Sequence, residues 1–320
     1  MASAACHVLL RRFGWATSGA PPAEPTVPFL AIDPAAARVL ADIFGRVPSG
    51  WPCRRLIARH DQPVVEAAGG SHLVISARSI LELLPEMPHS REDAGEWVIR
   101  TQPSSSAAAI VSGSRVAWIF AAERKAPEAA QNCVFEFTPD GWVFWAPTGP
   151  HTGFLQVVTP AAGGSSQACL AILQATRLIR AWVHPGALFC ADLPCAASLH
   201  TRLARGNTIS CGAAALRYDP ISGDGAGASL RSAILACAVV RHTLESGDSS
   251  AGFEHFHARI GRAFRGHMEV CERLYREAAL SKMWNGELAS VGAAKAMAGA
   301  CFPEPASRRF RLRDFGLEPV

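Results

Sequence analysis

The chain has 320 residues, 49% of them hydrophobic and 18% charged, with a formal net charge of +4. That balance suits a packed globular core and excludes a chain that is disordered as a whole. No apolar run approaches the roughly 18 residues of a membrane-spanning helix, which predicts a soluble protein. The positive charge is scattered over arginines, with one dense cluster at Arg308, Arg309, Arg311 and Arg313. There it alternates with Phe310 and Leu312, as in a surface strand with an apolar underside rather than a nucleic-acid-binding face.

Ten cysteines raise the question of disulfides or metal, but no CxxC occurs and the closest pair is Cys190 and Cys195. Cys169, Cys237 and Cys271 fall on apolar faces of predicted helices, where a thiol behaves as a small hydrophobe. The expectation is free thiols in a reducing cytoplasm. His255 and His257 stand two apart on a predicted helix and point away from each other, and HExxH is absent, so no metal site is expected. Residues 2–17 are Ala-rich and contain Arg11 and Arg12, yet Val8 to Leu10 is too short for a secretory apolar core.

In chain order, Pro21 to Pro28 reads as a Pro-rich connector and Pro34 to Phe44 as a helix. Arg54 to Arg59 and His72 to Ser76 are strand candidates around the Gly69-Gly70 turn, followed by a short helix from Ser79 to Leu84. A strand-rich block then spans Trp97 to Thr101, Arg115 to Ala121, Cys133 to Thr138, Trp142 to Trp145 and Phe154 to Thr159, broken by Pro, Gly and Ser clusters. Ser104 to Ser106 reads as a loop or weak strand. From Ser165 to Val183 the apolar spacing changes to that of one amphipathic helix. Asn207 to Ser210 is the next strand. A mostly apolar helix follows from Gly227 to Leu244, then a long two-faced helix from Phe253 to Ala278, and a small-residue helix from Trp284 to Ala300.

The strand at Asn207 to Ser210 leads into Cys211-Gly212-Ala213-Ala214-Ala215 and then Asp219-Pro220-Ile221-Ser222-Gly223-Asp224-Gly225-Ala226-Gly227. A glycine-rich loop running into a helix can place backbone N–H groups and the positive helix end against an electron-rich ligand. This strand, CGAAA, DPxSGxG and long helix resemble the flavin-contacting motif of FAD-dependent oxidoreductases of the hydroxybenzoate-hydroxylase and flavin-halogenase superfamily. Asp140-Gly141-Trp142-Val143-Phe144-Trp145-Ala146-Pro147 is similar to the GWxFxxP strand of the same superfamily, although it also suits an ordinary half-buried hairpin turning at Pro139-Asp140-Gly141. Val111-Ser112-Gly113-Ser114-Arg115 is faintly similar to the family's DATGR turn without its acid.

The resemblance implies an α/β (α+β) fold with an incomplete FAD-binding region, a mixed or antiparallel substrate-domain sheet and a helical C-terminal part. Four regions are expected: 1–50, a remnant of the FAD-binding region and connector; 51–190, mainly the substrate-domain sheet and helices; 191–250, the flavin-contacting glycine loop and helix; and 251–320, C-terminal helices and tail. It implies FAD as cofactor, with Gly212, Ala213, Pro220, Gly223, Asp224, Gly225 and Ala226 contacting it. Ala213 stands where the family has the Asp that reaches the ribityl chain. Trp142, Phe144 and Trp145 are expected on the substrate side. Met1 to Trp15 is similar to the helix that follows the family's GxGxxG turn, so the ADP-binding unit is expected to be absent; Gly223, Gly225 and Ala228 match GxGxxA, but the helix after them leads to more helix, not to the strand that a βαβ unit needs. The implied substrate is a small aromatic or apolar molecule or a side chain of a partner protein. The alternative is a truncated accessory or binding protein that no longer holds FAD.

Overall fold

The computed structural model describes residues 1–15, 17, 27–59, 62–67, 70–84, 97–103, 108–278, 280–304 and 310–320. The Pro21 to Pro28 connector, the Gly69-Gly70 turn, the Ser104 to Ser106 segment and the Arg308–Arg309 part of the basic cluster lie wholly or partly outside them.

A nine-stranded sheet dominates. Its order is Phe29–Ile32, His72–Ser76, Gly50–Ala58, Asn132–Thr138, Gly141–Pro147, Thr152–Pro160, Arg115–Arg124 and Val183–Pro194, with Val65–Glu66 added beside Gly50–Ala58. Neighbours are antiparallel except Gly50–Ala58 and Asn132–Thr138, which run parallel. Cys53 and Cys133 form a disulfide across that parallel pair. This corrects the expectation of free thiols at these two positions, because spacing along the chain could not expose a bond between residues 80 positions apart, whereas Cys169, Cys237 and Cys271 are free and buried as expected.

The central strands are buried on both faces, so their sequences run nearly continuous in apolar residues instead of alternating. The face bearing Phe135, Phe144 and Phe154 belongs to the main core, which extends into the helical layer. The opposite face, with Val134, Trp145 and Leu155, packs on Cys169, Ile172, Leu173 and Ile179.

The helix covering that second face is broken, contrary to the single helix expected from Ser165 to Val183. Ser166–Ala175 ends at Thr176, whose backbone is extended, and Leu178–Trp182 starts anew. The cause is Glu136. Its buried carboxylate accepts N–H bonds from Leu178 (3.0 Å) and Ile179 (2.8 Å) as well as from Arg177, satisfying the orphan donors of a helix start. The chain then becomes the edge strand Val183–Pro194, which begins where the expected helix ended and was not read from the sequence.

The helical layer comprises Ala2–Arg12, Pro34–Phe44, Gly225–Ser246, Ser250–Glu277 and Asn285–Cys301. Gly225–Ser246 lies centrally, packed against Ala2–Arg12, Pro34–Phe44 and Ser250–Glu277. Its residues Leu230, Ala233, Ala236, Cys237, Ala238 and Val239 are fully buried, as its all-round apolar composition requires. Thr208–Ser210 pairs in parallel with Val98–Arg100 and delivers the chain to the glycine loop. No helix among the described residues is long and apolar enough to cross a membrane.

Candidate active site

The loop between Tyr218 and Gly225 is built by local turn chemistry. Asp219 caps the short 3-10 turn Pro220–Ser222 by accepting the Ile221 N–H at 3.0 Å, and proline fixes the first position of that turn. Gly223 then adopts φ +69°, a left-handed conformation suited to a residue without Cβ. The chain reverses there and the helix starts at Gly225, slightly earlier than the apolar pattern suggested.

Asp224 occupies the N-cap position but does not cap. Its carboxylate pairs with Arg231 instead. Among the described residues, the Gly225 and Ala226 amides have no protein acceptor, so the helix start presents free donors and positive dipole. Nothing lies within 4 Å of where a Cβ on Gly225 would stand.

Behind the loop is a buried ionic network. Arg115 donates Nε to Asp219 (2.7 Å), Nη1 to Glu287 (2.5 Å) and Nη2 to Ser112 Oγ (2.9 Å). Tyr275 donates its hydroxyl to Asp219 (2.8 Å), and Ser114 donates N–H to Glu287 (3.0 Å). Burial opposes the Arg115 charge, but Tyr275, Asp219 and Glu287 outweigh it and raise its pKa above the ordinary arginine value. His267 accepts the Asp219 N–H at 2.8 Å and stacks on Tyr218 with ring centroids 3.9 Å apart. Burial pulls the His267 pKa down to about 4, so the ring is neutral near pH 7. These contacts anchor Asp219 from a strand and a helix, while Glu287 of a second helix holds Arg115 in place.

In front of the loop is a cavity of about 190 Å³. Pro220, Gly223, Gly225 and Ala226 form one wall, with Tyr218 beside them. Phe135, Phe144 and Phe154, projecting from three neighbouring strands, form the opposite wall, and Phe29 stacks on Phe154 at 5.6 Å. Arg55 bridges the two sides. Its guanidinium lies 4.6 Å from the Phe135 ring centroid and donates to the carbonyls of Ser222 (3.1 Å) and Ile221 (3.2 Å). His72, Cys133 and Gln156 also line the space. Burial first, and Arg55 second, lower the His72 pKa, while its Nδ1 stands 3.2 Å from the Gly70 carbonyl.

Pro220, Gly223, Gly225, Ala226 and Phe144 of the sequence-derived site therefore meet at one cavity, and the others do not line it. Gly212 is packed against Ala2 and donates its N–H to Ser232 Oγ at 2.8 Å, with Ala213 in the same 3-10 turn. Trp142 and Trp145 also lie away from the cavity. Trp142 is fully buried and packs on Phe135, in the core rather than on the cavity wall. Trp145 points from the other face of the sheet and donates its indole N–H to the Ala129 carbonyl at 3.0 Å. Strand alternation puts position 145 on the side opposite 144.

Sequence reasoning missed Arg55, His72, Cys133, Phe135, Phe154, Gln156 and Tyr218. Phe135 and Phe154 carried a signal, since both lie on predicted strands beside Phe144. Arg55 carried none, because its loop partners are 166 and 167 residues away.

No protein-family model matches this sequence, and no curated protein matches it. Solved structures do. The peptidyl tryptophan dihydroxylase QhpG, essential for tryptophylquinone cofactor biogenesis, superimposes with a TM-score of 0.62 at 18% identity, covering 100% of this chain and 84% of that one. The flavin-dependent brominase Bmp2 gives 0.67 at 13% identity over 94% of this chain and 92% of its own. PqsL, a probable FAD-dependent monooxygenase from Pseudomonas aeruginosa, gives 0.63 at 14% identity over 91% and 96%. The chain has the fold of the flavin-dependent monooxygenases and halogenases.

Proposed function

We propose that this protein is an FAD-dependent oxidoreductase of the monooxygenase type that acts on an aromatic group, either of a small molecule or of a partner protein's side chain. The observation that carries the reading is the cavity between the glycine loop and the phenylalanine wall. One side offers an uncapped helix start, free amides at Gly225 and Ala226, and open space where any other residue would place a Cβ. Such donors suit the electron-rich edge of an isoalloxazine ring and would stabilise negative charge on it without an ionised side chain. The Arg55 guanidinium adds positive charge at the same cavity. Bound there, the flavin would supply hydride acceptance and oxygen activation, leaving the protein to orient, desolvate and stabilise charge.

The other side offers three aromatic rings, which suit a flat apolar ligand. QhpG, by its name, acts on a peptidyl tryptophan, and this supports a partner protein's aromatic side chain as one form of the substrate.

The test is Gly225→Val. A valine at this position meets no protein atom and no positive φ, so the variant should fold with a melting temperature close to that of the parent. It should lose riboflavin binding, followed by the quenching of flavin fluorescence. FAD should bind the parent chain little more tightly than riboflavin, because the cavity addresses the ring and the sequence contains no GxGxxG turn leading into a βαβ unit for the pyrophosphate. A folded Gly225→Val protein that binds flavin like the parent would remove the loop from the site. A parent that binds neither flavin would leave the accessory-protein alternative.

A further inference from the structure

We infer that Gln156 sets the ligand selectivity of the cavity by pairing with a neutral hydrogen-bonding group on the rim of a flat aromatic ligand, an inference that rests on the functional reading above. Four side chains with strong hydrogen-bonding groups line the space: Arg55, His72, Gln156 and Tyr218. Three of them bond to the protein. Arg55 is tied through its Nη atoms to the Ile221 and Ser222 carbonyls, although its Nε is buried without a partner, His72 Nδ1 stands against the Gly70 carbonyl, and Tyr218 donates its hydroxyl to the Ala263 carbonyl. Gln156 has no hydrogen-bond partner among the described residues.

Its surroundings make that unusual. Gln156 stands opposite Phe144 in the strand pairing, and Phe144 stands opposite Phe135, so one row across three strands reads amide, phenyl, phenyl. Phe154 lies two residues before it on the same face, and Ile119 is its partner on the other neighbouring strand. The Gln156 amide is half-buried, makes no protein hydrogen bond and faces the open cavity. Leucine or methionine would continue the apolar wall without presenting a polar group. An amide is useful here if the ligand completes it.

The chemistry of the ligand follows from the neighbours. The phenylalanine rings select a flat apolar body. An amide offers one acceptor and two donors, which match a hydroxyl or N–H on the ring, and the phenylalanine wall disfavours a charged group, whose desolvation a neutral amide repays poorly. A site built to hydrogen-bond such a group discriminates against an analogue lacking it much more strongly than an apolar pocket discriminates between methylenes.

The experiment compares 2-naphthol with 2-methylnaphthalene, which match in shape and differ in the hydrogen-bonding group, by ligand-observed NMR titration of the full chain. The parent should prefer 2-naphthol by at least about tenfold. Gln156→Met, and Gln156→Leu as a second packing solution, should reduce the preference to near unity while keeping or strengthening the affinity for 2-methylnaphthalene. An unchanged preference in either folded variant overturns the inference, as does a parent with no preference or no binding of either ligand. Riboflavin binding measured on the same samples separates the two readings. Flavin bound without a Gln156-dependent preference sinks this inference alone, whereas a Gln156-dependent preference without flavin binding sinks the flavin assignment and leaves an aromatic-binding cavity.

Discussion

Trp142, Phe144 and Trp145 lie within four consecutive residues, yet the fold gives them three different tasks. Trp142 fills the core and packs on Phe135, Phe144 faces the cavity, and Trp145 closes the far side of the sheet with a hydrogen bond to Ala129. Trp142→Ala should therefore destabilise the protein by about 3–5 kcal/mol, the usual cost of emptying a large buried site. Phe144→Ala should weaken aromatic ligand binding through the loss of one wall. Urea denaturation and the naphthol titration check the pair, and a Trp142 variant that keeps its stability but loses ligand affinity would reverse the assignment. The aromatic strand was legible in the sequence because its composition and turn residues are local. Which ring faces the ligand was not, since both faces of this strand are buried and hydrophobic alternation carries no information there. The glycine loop was more legible: Pro220, Gly223 and Gly225 owe their roles to backbone geometry, which residue type encodes directly.

At the scale of elements, the loop is held less by its own turn than by the network behind it. Arg115 arrives on the Arg115–Arg124 strand, Tyr275 and His267 on the Ser250–Glu277 helix, and Glu287 on the Asn285–Cys301 helix, all converging on or next to Asp219. Replacing Arg115 with methionine would leave Asp219 and Glu287 buried without their shared cation. The expected loss is about 3–5 kcal/mol, the range for breaking a buried ion pair from one side. Because Asp219 also caps the Pro220–Ser222 turn, the amides from Ile221 to Asp224 should exchange hydrogen faster in Arg115→Met than in the parent under conditions where both remain folded. Unchanged exchange in that segment would mean that Arg115 stabilises the fold without positioning the loop. The sequence singled out Arg115 only as the end of a faint DATGR-like turn. Its carboxylate partners are 104 and 172 residues away, and separation of that kind leaves no local pattern to read. The broken helix between Ser166 and Trp182 has the same explanation, its interruption being supplied by Glu136 from a distant strand.

For the molecule as a whole, burial has a consequence for its response to acid. His7, His72, His200, His255, His257 and His267 all have pKa values below the ordinary histidine value, and desolvation is the leading cause in each. His267 is the strongest case, only 4% exposed and lowered to about 4. Between its ordinary value of 6.5 and about 4, the unfolded chain takes up a proton at this position and the folded chain does not. The unfolded state thus binds more protons in that window, so stability is fully present above pH 6.5 and is lost as pH falls toward 4. For His267 alone the loss is on the order of 3 kcal/mol, at 1.36 kcal/mol per pKa unit, and the other five act with the same sign. Protonation of His267 would also remove the acceptor of the Asp219 N–H, coupling acid to the loop that lines the cavity. Urea midpoints measured at pH 7.5 and pH 4.5 should show a marked acid loss in the parent. His267→Gln can keep an acceptor for Asp219 but has no proton to bind, and its acid loss should be clearly smaller. Equal losses in the two proteins would show that His267 does not drive the acid response.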